Sequence, residues 1–166
     1  MSQFMDEIEE CVPALRRYAR ALTHDPESAD DLVQDSLERA IRKRGLWRPS
    51  GSVRSWMFRI LLNVYRNDLR RLRRSPAAVS LETLPGSEPP GPDVQPGRLA
   101  LAETARAMLT LPLEQREVLL LVAVEEMSYA EAAAVLSIPL GTLMSRLARA
   151  RATLRDVTQT GAPKLR

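Results

Sequence analysis

Hydrophobic residues recur three and four positions apart along most of this chain, which is the spacing of one face of an α-helix. No segment shows the alternating pattern of valine, isoleucine and tyrosine that is typical of strands, so the sequence predicts an all-α protein. The predicted helices cover residues 7–22, 27–44, 52–74 and 98–110, a further helix from Pro112, and two helices on either side of a break at 137–139.

Local start and stop residues sharpen several of these boundaries. Pro13 predicts a kink or a late start in the first helix, because proline lacks a backbone donor. Asp25 is a suitable N-cap for the second helix, with Pro26 at its first position. Ser128 can cap a later helix, and the carboxylate of Glu131, three residues later, can accept a hydrogen bond from the Ser128 backbone N–H. This is the pattern of a capping box.

A change of composition divides the chain into two domains. Residues 75–97 contain six prolines, three glycines and several acidic residues but no basic ones, and such a segment cannot bury enough apolar surface to fold alone. An extended chain of that length spans up to roughly 70 Å. The sequence therefore predicts small helical domains at 1–74 and 98–166 joined by an acidic, proline-rich linker.

The last two predicted helices form a candidate helix-turn-helix. On the second of them, Leu143, Leu147, Ala150 and Leu154 recur on one face. The opposite face carries small, hydroxylated and basic residues, which suit the N-terminal half of a helix in a DNA major groove. These candidates for duplex contact are Gly141, Thr142, Ser145, Arg146 and Arg149.

The third predicted helix also has two different faces. Its apolar face is predicted to be core and consists of Phe58, Leu61, Leu62, Tyr65, Leu69 and Leu72. Its other face is rich in arginine and asparagine and includes a tryptophan: Trp56, Arg59, Asn63, Asn67, Arg70 and Arg74, with Arg71 beside them. Such a face is either a solvated basic surface or a site for single-stranded nucleic acid, in which Trp56 or Trp47 stacks on bases.

Composition excludes several other classes of protein. The 166 residues carry a net charge of +3, with one cysteine and one histidine, so neither a disulfide framework nor a zinc site is expected. The acidic start and the absence of a long apolar run argue against a leader or membrane insertion and favour a cytoplasmic protein. Asp30, Asp31 and Asp35 have no catalytic companions, so neither an enzyme nor a cofactor is predicted.

Three segments resemble, in the expected order, those of bacterial sigma factors. Residues 29–40 resemble the segment that binds core RNA polymerase, and residues 55–60 with Asn63, Asp68 and Arg71 resemble the segment that melts and reads the minus-ten element. Leu111 and Pro112 with Arg116, followed by residues 128–131 and 141–151, resemble the region that reads the minus-thirty-five element. This set is similar to the compact group IV, or extracytoplasmic-function (ECF), sigma factors, which contain only regions 2 and 4.

The resemblance implies partners and residue roles. The second helix is expected to dock on the β′ clamp helices through Asp31, Leu32, Gln34, Asp35 and Glu38. Region 4 would contact the β flap and the minus-thirty-five element, and the acidic linker would lie along the RNA exit path. An anti-sigma factor and a role in a stress or environmental response are also implied. The minus-ten contacts would come from Trp47, Arg48, Trp56, Arg59, Asn63, Asn67, Arg70, Arg71 and Arg74.

The chain departs from the family pattern at three positions. Met144 stands where lysine is usual, Ser137 where glycine is frequent in the turn, and Ala132 where isoleucine is common. Ser137 carries strain if its φ is positive. Two other functions stay open at this level: a free-standing helix-turn-helix regulator that binds duplex DNA without polymerase, and a degenerate sigma-like module that binds only a protein partner.

Overall fold

The computed structural model describes residues 2–49, 51–75 and 96–160, and within these ranges the chain is helical with no strand. The all-α prediction is therefore confirmed. A 3₁₀ turn, Arg44–Leu46, and a π-helical turn, Leu120–Val124, follow the second and fifth helices. The helices are α1 Ser2–Thr23, α2 Pro26–Arg42, α3 Val53–Arg74, α4 Pro96–Thr110, α5 Leu113–Leu119, α6 Tyr129–Leu136 and α7 Leu140–Thr160.

Helices α1, α2 and α3 pack around a common apolar centre. Tyr18 of α1 and Phe58 of α3 are fully buried, and their rings meet edge to face with centroids 5.2 Å apart. Burial raises the pKa of the Tyr18 phenol, and the nearby carboxylate of Glu117 raises it further. Around this pair the buried side chains include Leu15, Leu22, Ala29, Val33, Met57, Leu61 and Leu62.

Helix α1 begins earlier than the sequence predicts. It runs from Ser2 to Thr23 with Pro13 inside it, so the predicted start at residue 7 and the late start at Pro13 are wrong. Pro13 is exposed and gives up one hydrogen bond, whereas Ile8, Cys11 and Leu15 on either side are buried. Burial of these apolar side chains stabilises α1 by more than the missing hydrogen bond at Pro13 destabilises it.

The predicted start of α2 is confirmed. Asp25 lies outside the helix with extended backbone, its side chain accepts a hydrogen bond from the Ser28 backbone N–H at 3.1 Å, and Pro26 occupies the first helical position. The hydrogen bonds from the Ser28 side chain and backbone lower the pKa of the Asp25 carboxyl. The helix ends at Arg42, two residues before the predicted boundary, since the chain turns there into Arg44–Leu46.

Helix α3 matches its predicted bounds closely, with Ser52 as the N-cap. Phe58, Leu61 and Leu62 are buried as predicted, and Tyr65 and Leu69 are half-buried. The assignment of Leu72 to the core is wrong, because its side chain is 56% exposed. Every residue from position 70 to position 75 is exposed, so the final turns of α3 extend beyond the packed helices.

Helices α4 to α7 form the second packed unit. The apolar run at residues 118–122 is the part of the sequence that predicts the core of this unit, and residues 118–121 are buried. Helix α4 begins at Pro96, inside the segment predicted as linker. The rest of that linker, from residue 76 to residue 95, lies outside the described residues, and so do residues 161–166. The sequence of residues 158–166 is typical of a frayed tail, but residues 158–160 belong to α7.

The helix-turn-helix consists of α6, a three-residue break and α7. Ser128 caps α6 by accepting a hydrogen bond from the Glu131 backbone N–H at 3.1 Å, as predicted. The other half of the predicted capping box is wrong, because the Glu131 carboxylate instead accepts a hydrogen bond from the Ser55 hydroxyl of α3 at 2.6 Å. Ser137 ends α6 in the left-handed region, with φ 55° and ψ 44°.

Replacing Ser137 with glycine is expected to stabilise the chain by about 1 kcal/mol, because a left-handed conformation costs an L-residue about 1–2 kcal/mol and glycine very little. Chemical denaturation followed by circular dichroism measures the change. Ala134→Gly is the control, since it places glycine inside α6 and should destabilise by about 1 kcal/mol. An unfolding free energy for Ser137→Gly equal to or below that of the parent would contradict the assigned strain.

The two units pack directly on each other, and their buried hydrophobic residues form one continuous core. The Tyr18 hydroxyl donates a hydrogen bond to the Glu117 carbonyl at 3.2 Å, and the Arg116 guanidinium donates one to the Leu22 carbonyl at 3.1 Å. Among the described residues, no helix is long and apolar enough to cross a membrane.

Candidate nucleic-acid interface

The N-terminal half of α7 presents the polar face that the sequence predicts. Gly141, Ser145 and Arg149 are exposed and Thr142 is half-buried, while Leu143, Leu147 and Ala150 on the other face are buried. Together with Pro112, Glu114 and Gln115 of the α5 end, the polar residues line an open groove of about 440 Å³. Arg146 lies at its side, with its guanidinium 3.5 Å from the Glu114 carboxylate.

Met144 lies on the same exposed face of α7. It is 50% exposed and lies about 60° around the helix from Gly141. A thioether offers no charge to phosphates, but an apolar side chain in the major groove can contact the methyl group of thymine. The face therefore combines cations with one apolar contact.

The polar residues of α3 form a continuous stripe, since they all fall within about 60° of one line along the helix. Asn63, Asn67, Arg70 and Arg74 are exposed. Arg71 is exposed too, and it forms an ion pair with Asp68 on the same helix. The C-terminal part of this stripe borders a groove of about 540 Å³ between α2 and α3, whose other side is lined by Asp35, Glu38, Arg39 and Arg42.

The two tryptophans do not stand free on this stripe. Both are half-buried and flank Phe4 of α1, with ring centroids 5.0 Å from Phe4 to Trp47 and 5.8 Å from Phe4 to Trp56. The Trp47 indole N–H is buried and has no hydrogen-bond partner among the described residues. Trp56 is therefore not a free side chain on the polar face of α3 but one wall of an aromatic cluster. Arg48, which follows Trp47 in the chain, is exposed.

The predicted polymerase-binding residues of α2 differ in their exposure to solvent. Asp31, Gln34, Asp35 and Glu38 are exposed on one face of the helix. Leu32 is only 4% exposed and belongs to the core, so the expectation that it contacts a partner is corrected. Its position, about 100° around the helix from Asp31, turns it toward the buried side.

The sequence reasoning missed a set of ion pairs between the two units. Glu125 and Glu117 of the second unit are buried, and arginines of the first unit hold both carboxylates: Arg17 and Arg54 bind Glu125, and Arg66 binds Glu117. These hydrogen bonds raise the pKa of Arg17 and of Arg66 above the usual value. A glutamate directly before the apolar run at 118–122 is the sequence feature that could have indicated a buried carboxylate.

One member of the α3 stripe is engaged by the helix-turn-helix. The Arg59 guanidinium donates a hydrogen bond to the Ala134 carbonyl near the end of α6, at 2.7 Å. One turn earlier, Ser55 binds the Glu131 carboxylate. The N-terminal part of the stripe is thus in contact with α6, whereas its C-terminal part is open to solvent.

Two side chains without a role in these faces are structural. Cys11 is buried in the first unit, and burial raises the pKa of its thiol. His24 occupies the turn between α1 and α2 with φ 55°, and burial followed by the charge of Arg116 lowers its pKa. No group of three potential metal ligands occurs in the ranges that the structure covers.

Two protein-family models match the chain, one on each unit. Residues 8–62 match the family described as the Sigma2 domain of PhyR, and residues 101–154 match Sigma-70, region 4. The two matches fall on α1–α3 and α4–α7, and they leave the predicted linker unmatched.

Curated relatives and a solved structure cover most of the chain. The ECF RNA polymerase sigma factor EcfG of Rhodopseudomonas palustris is 38% identical over 152 residues, which are 90% of this chain and 81% of the relative. The ECF RNA polymerase sigma factor SigM of Mycobacterium tuberculosis is 38% identical over 144 residues, 84% of this chain and 69% of the relative. The sigma factor RpoE of Bartonella quintana, solved in complex with the anti-sigma factor NepR, superposes with a TM-score of 0.80 at 28% identity, covering 98% of this chain and 100% of that one.

Proposed function

This chain belongs to the ECF family of RNA polymerase sigma factors, and we propose that its two helical units divide promoter recognition between them. It is an alternative sigma factor, which binds core RNA polymerase and directs transcription initiation at promoters. The observation that carries the division of labour is the presence of two basic faces on different units: the stripe of α3 and the N-terminal half of α7. One suits a single strand and the other a duplex groove.

The first unit docks on polymerase through the exposed acidic face of α2. Asp31, Asp35 and Glu38 supply the charges and Gln34 a hydrogen-bonding amide, and they bind the β′ clamp helices. Complementary charge at such an interface accelerates docking and fixes its register. Leu32 contributes indirectly, because its burial holds this face of α2 in place.

The same unit captures the melted non-template strand of the minus-ten element along α3. Arg70, Arg71 and Arg74 follow phosphates, and Asn63 and Asn67 reach base edges. Trp56 and Trp47 supply the edge of the aromatic cluster with Phe4 as a surface for an unstacked base, and Arg48 is near that end. Stacking contributes about 1–3 kcal/mol per base, comparable to the few kcal/mol that extruding one base costs.

The second unit binds the minus-thirty-five duplex. The first turns of α7 enter the major groove, so that Thr142, Ser145 and Arg149 reach phosphates and base edges and the bare Gly141 allows close approach. This unit also contacts the β flap of the polymerase. The chain itself catalyses nothing under this proposal, since the polymerase forms the phosphodiester bonds.

An anti-sigma factor is a further expected partner. The RpoE structure that superposes on this chain contains the anti-sigma factor NepR, and the superposition covers both units. A partner of this kind would hold the chain away from polymerase until it is released.

In vitro transcription tests the function directly. Purified chain is added to bacterial core RNA polymerase with sheared DNA of the source genome, and new transcripts are sequenced. Discrete start sites that need both the chain and core polymerase support the proposal. Tight, specific duplex binding without polymerase, and no new transcripts with it, would instead identify a free-standing regulator.

Removal of the Arg149 side chain is expected to lower transcription from such a promoter about tenfold, because one cationic contact in the groove is lost. The logarithmic salt dependence of promoter binding should become shallower by about one. Arg155→Ala, in the C-terminal half of α7, removes the same charge outside the groove and serves as the control. Equal losses in both variants would contradict the assigned orientation of α7.

A further inference from the structure

The first two turns of α7 expose an apolar edge beside the polar groove face. Over residues 140–147, all of which the structure describes, Leu140 is 48% exposed and Met144 is 50% exposed. These two residues are four positions apart, so their side chains are neighbours on the helix surface. Ala148, one turn further on, is also exposed. The apolar edge of α7 therefore consists of Leu140, Met144 and Ala148.

The cations of the same helix lie on the opposite side of the groove face. At 100° per residue, Arg149 lies about 140° around α7 from Met144. Arg146 lies further round on the side of Arg149, its side chain is 24% exposed, and its guanidinium is 3.5 Å from the Glu114 carboxylate. The groove face is thus basic along one edge and apolar along the other.

The centre of the groove face, between these edges, is open. Gly141 has no side chain, and a Cβ atom at this position would meet no other atom within 4 Å. Ser145 is exposed and short. Met144 lies about 60° around the helix from Gly141, whereas Leu140 lies about 100° from it. A duplex that approaches Gly141 therefore meets Met144 before Leu140.

The chemistry of a methionine side chain discriminates between bases. A thioether is a weak hydrogen-bond acceptor and no donor, so it cannot read the amino, carbonyl and N7 groups in the major groove. The C5-methyl group of thymine is the apolar group that a base presents there. Contact between this methyl group and Met144 removes apolar surface of both from water. The same side chain against a cytosine amino group would displace water without replacing its hydrogen bond.

The size and position of the apolar edge favour DNA over a protein partner. Stable protein interfaces bury about 800 Å² on each side, far more than two large side chains and one methyl group supply. Successive residues of the edge are about 6 Å apart along the helix, comparable to the roughly 7 Å rise of two base pairs. The edge also adjoins Gly141 and Ser145, which belong to the face proposed for duplex contact.

We propose that Met144 is a specificity-determining residue, which selects a thymine in the bound duplex through contact with its C5-methyl group. This role depends on the duplex binding proposed for α7 and adds the identity of one base to it. Arg149 then holds the helix on the duplex by charge, and Leu140 adds apolar contact to a neighbouring base pair. The long, unbranched side chain of Met144 suits the irregular surface around a methyl group.

The test removes single methyl groups from the DNA and leaves the protein unchanged. Full-length chain first selects duplexes from a library with a random core of about 10 base pairs, at about 50 mM salt, where phosphate contacts are strong. Each thymine of the enriched site is then replaced in turn by deoxyuridine, which forms the same base pair but lacks the C5-methyl group. Fluorescence anisotropy with the labelled duplexes measures each dissociation constant.

One of these replacements is expected to weaken binding about fourfold, which is the effect of withdrawing one methyl group from an apolar contact. Met144→Ala should weaken binding of the thymine duplex by a similar factor or more, and it should bind the thymine and deoxyuridine duplexes equally. The preference of the parent chain should be the same at about 200 mM salt, since contact with a methyl group releases no counterion.

Two further variants separate the contact from general effects. Val157→Ala truncates a side chain of α7 that is 41% exposed and lies outside the groove face, and it should keep the full fourfold preference. Met144→Lys places a cation at the same position. Its enriched site should acquire guanine at or beside the selected thymine, because guanine O6 and N7 accept hydrogen bonds from lysine. Its logarithmic salt dependence should be steeper by about one.

Enriched sites in which every deoxyuridine replacement is neutral would overturn the role of Met144. A methyl preference that Met144→Ala retains, at unchanged helical content by circular dichroism, would overturn it too and would assign the contact to another side chain. A parent chain that enriches no sequence would refute duplex reading by α7 itself, and with it the selection of thymine. Since none of these measurements includes polymerase, a failure of the sigma function in the transcription assay is scored separately.

Discussion

Replacing Asp35 with arginine is expected to weaken binding of this chain to core RNA polymerase by about 100-fold or more. Asp35 is exposed in the middle of the acidic face of α2, between Asp31 and Glu38, and it lines the groove that α2 shares with α3. Loss of one partner from a charge pair at an interface costs about 2–5 kcal/mol, and reversal adds repulsion from the cations that it faced. Titration of labelled chain with core polymerase, followed by fluorescence anisotropy, measures the change.

A matched variant separates docking from general electrostatics. Asp30→Arg makes the same change of charge on the same helix, but position 30 lies about 140° around α2 from position 35. Its binding should stay within about threefold of the parent chain, as for a charge at the rim. If both variants lost affinity for core polymerase equally, α2 would contribute only long-range attraction. If Asp35→Arg bound core polymerase as tightly as the parent chain, α2 would not be the docking helix.

Replacing Arg116 with alanine is expected to lower the free energy of unfolding by about 3 kcal/mol or more. The Arg116 guanidinium donates to the carbonyls of Met108 and Leu111 at the end of α4, at 3.2 and 3.1 Å, and to the Leu22 carbonyl at the end of α1. Helix ends leave carbonyls without partners, and loss of charged donors to several of them costs about 1–3 kcal/mol per unsatisfied group.

Urea denaturation followed by circular dichroism measures this loss. Arg106→Ala is the control, because Arg106 is an exposed arginine of α4 and its removal should change the unfolding free energy by less than about 0.5 kcal/mol. Arg116→Lys should lose most of the same stability, since a single ammonium cannot bind carbonyls in several directions. A loss below about 1 kcal/mol for Arg116→Ala would show that water satisfies those carbonyls.

The sequence predicted which residues of two helices share an exposed polar face. Helical spacing predicted the polar face of α7, because it fixes which side chains share a face. The α2 residues were implied by the family resemblance, and four of those five are exposed. Leu32 and Leu72 show the limit of this reasoning. Leu32 is buried although it lies beside the exposed Asp31, and Leu72 is exposed although it continues an apolar stripe, because the extent of each core depends on where the neighbouring helices end.

The amino-acid sequence alone was enough to predict the all-α class, the approximate position of most helices and the N-caps at Asp25 and Ser128. These features depend on contacts between residues close in the chain, where the rise and rotation per residue are constant. For Ser137 the sequence predicted strain only if its φ were positive, and the structure gives that φ as 55°.

The contact between the two domains could be seen only in the folded chain. Arg17 and Glu125 are 108 positions apart, and Arg66 and Glu117 are 51 apart, so no local periodicity relates them. Their pairing depends on the docking of complete helices, and a buried carboxylate is stable there only because an arginine from the other domain reaches it. The sequence predicted a ligand for each face, whereas the fold showed that the N-terminal part of the α3 stripe contacts α6 of the other domain.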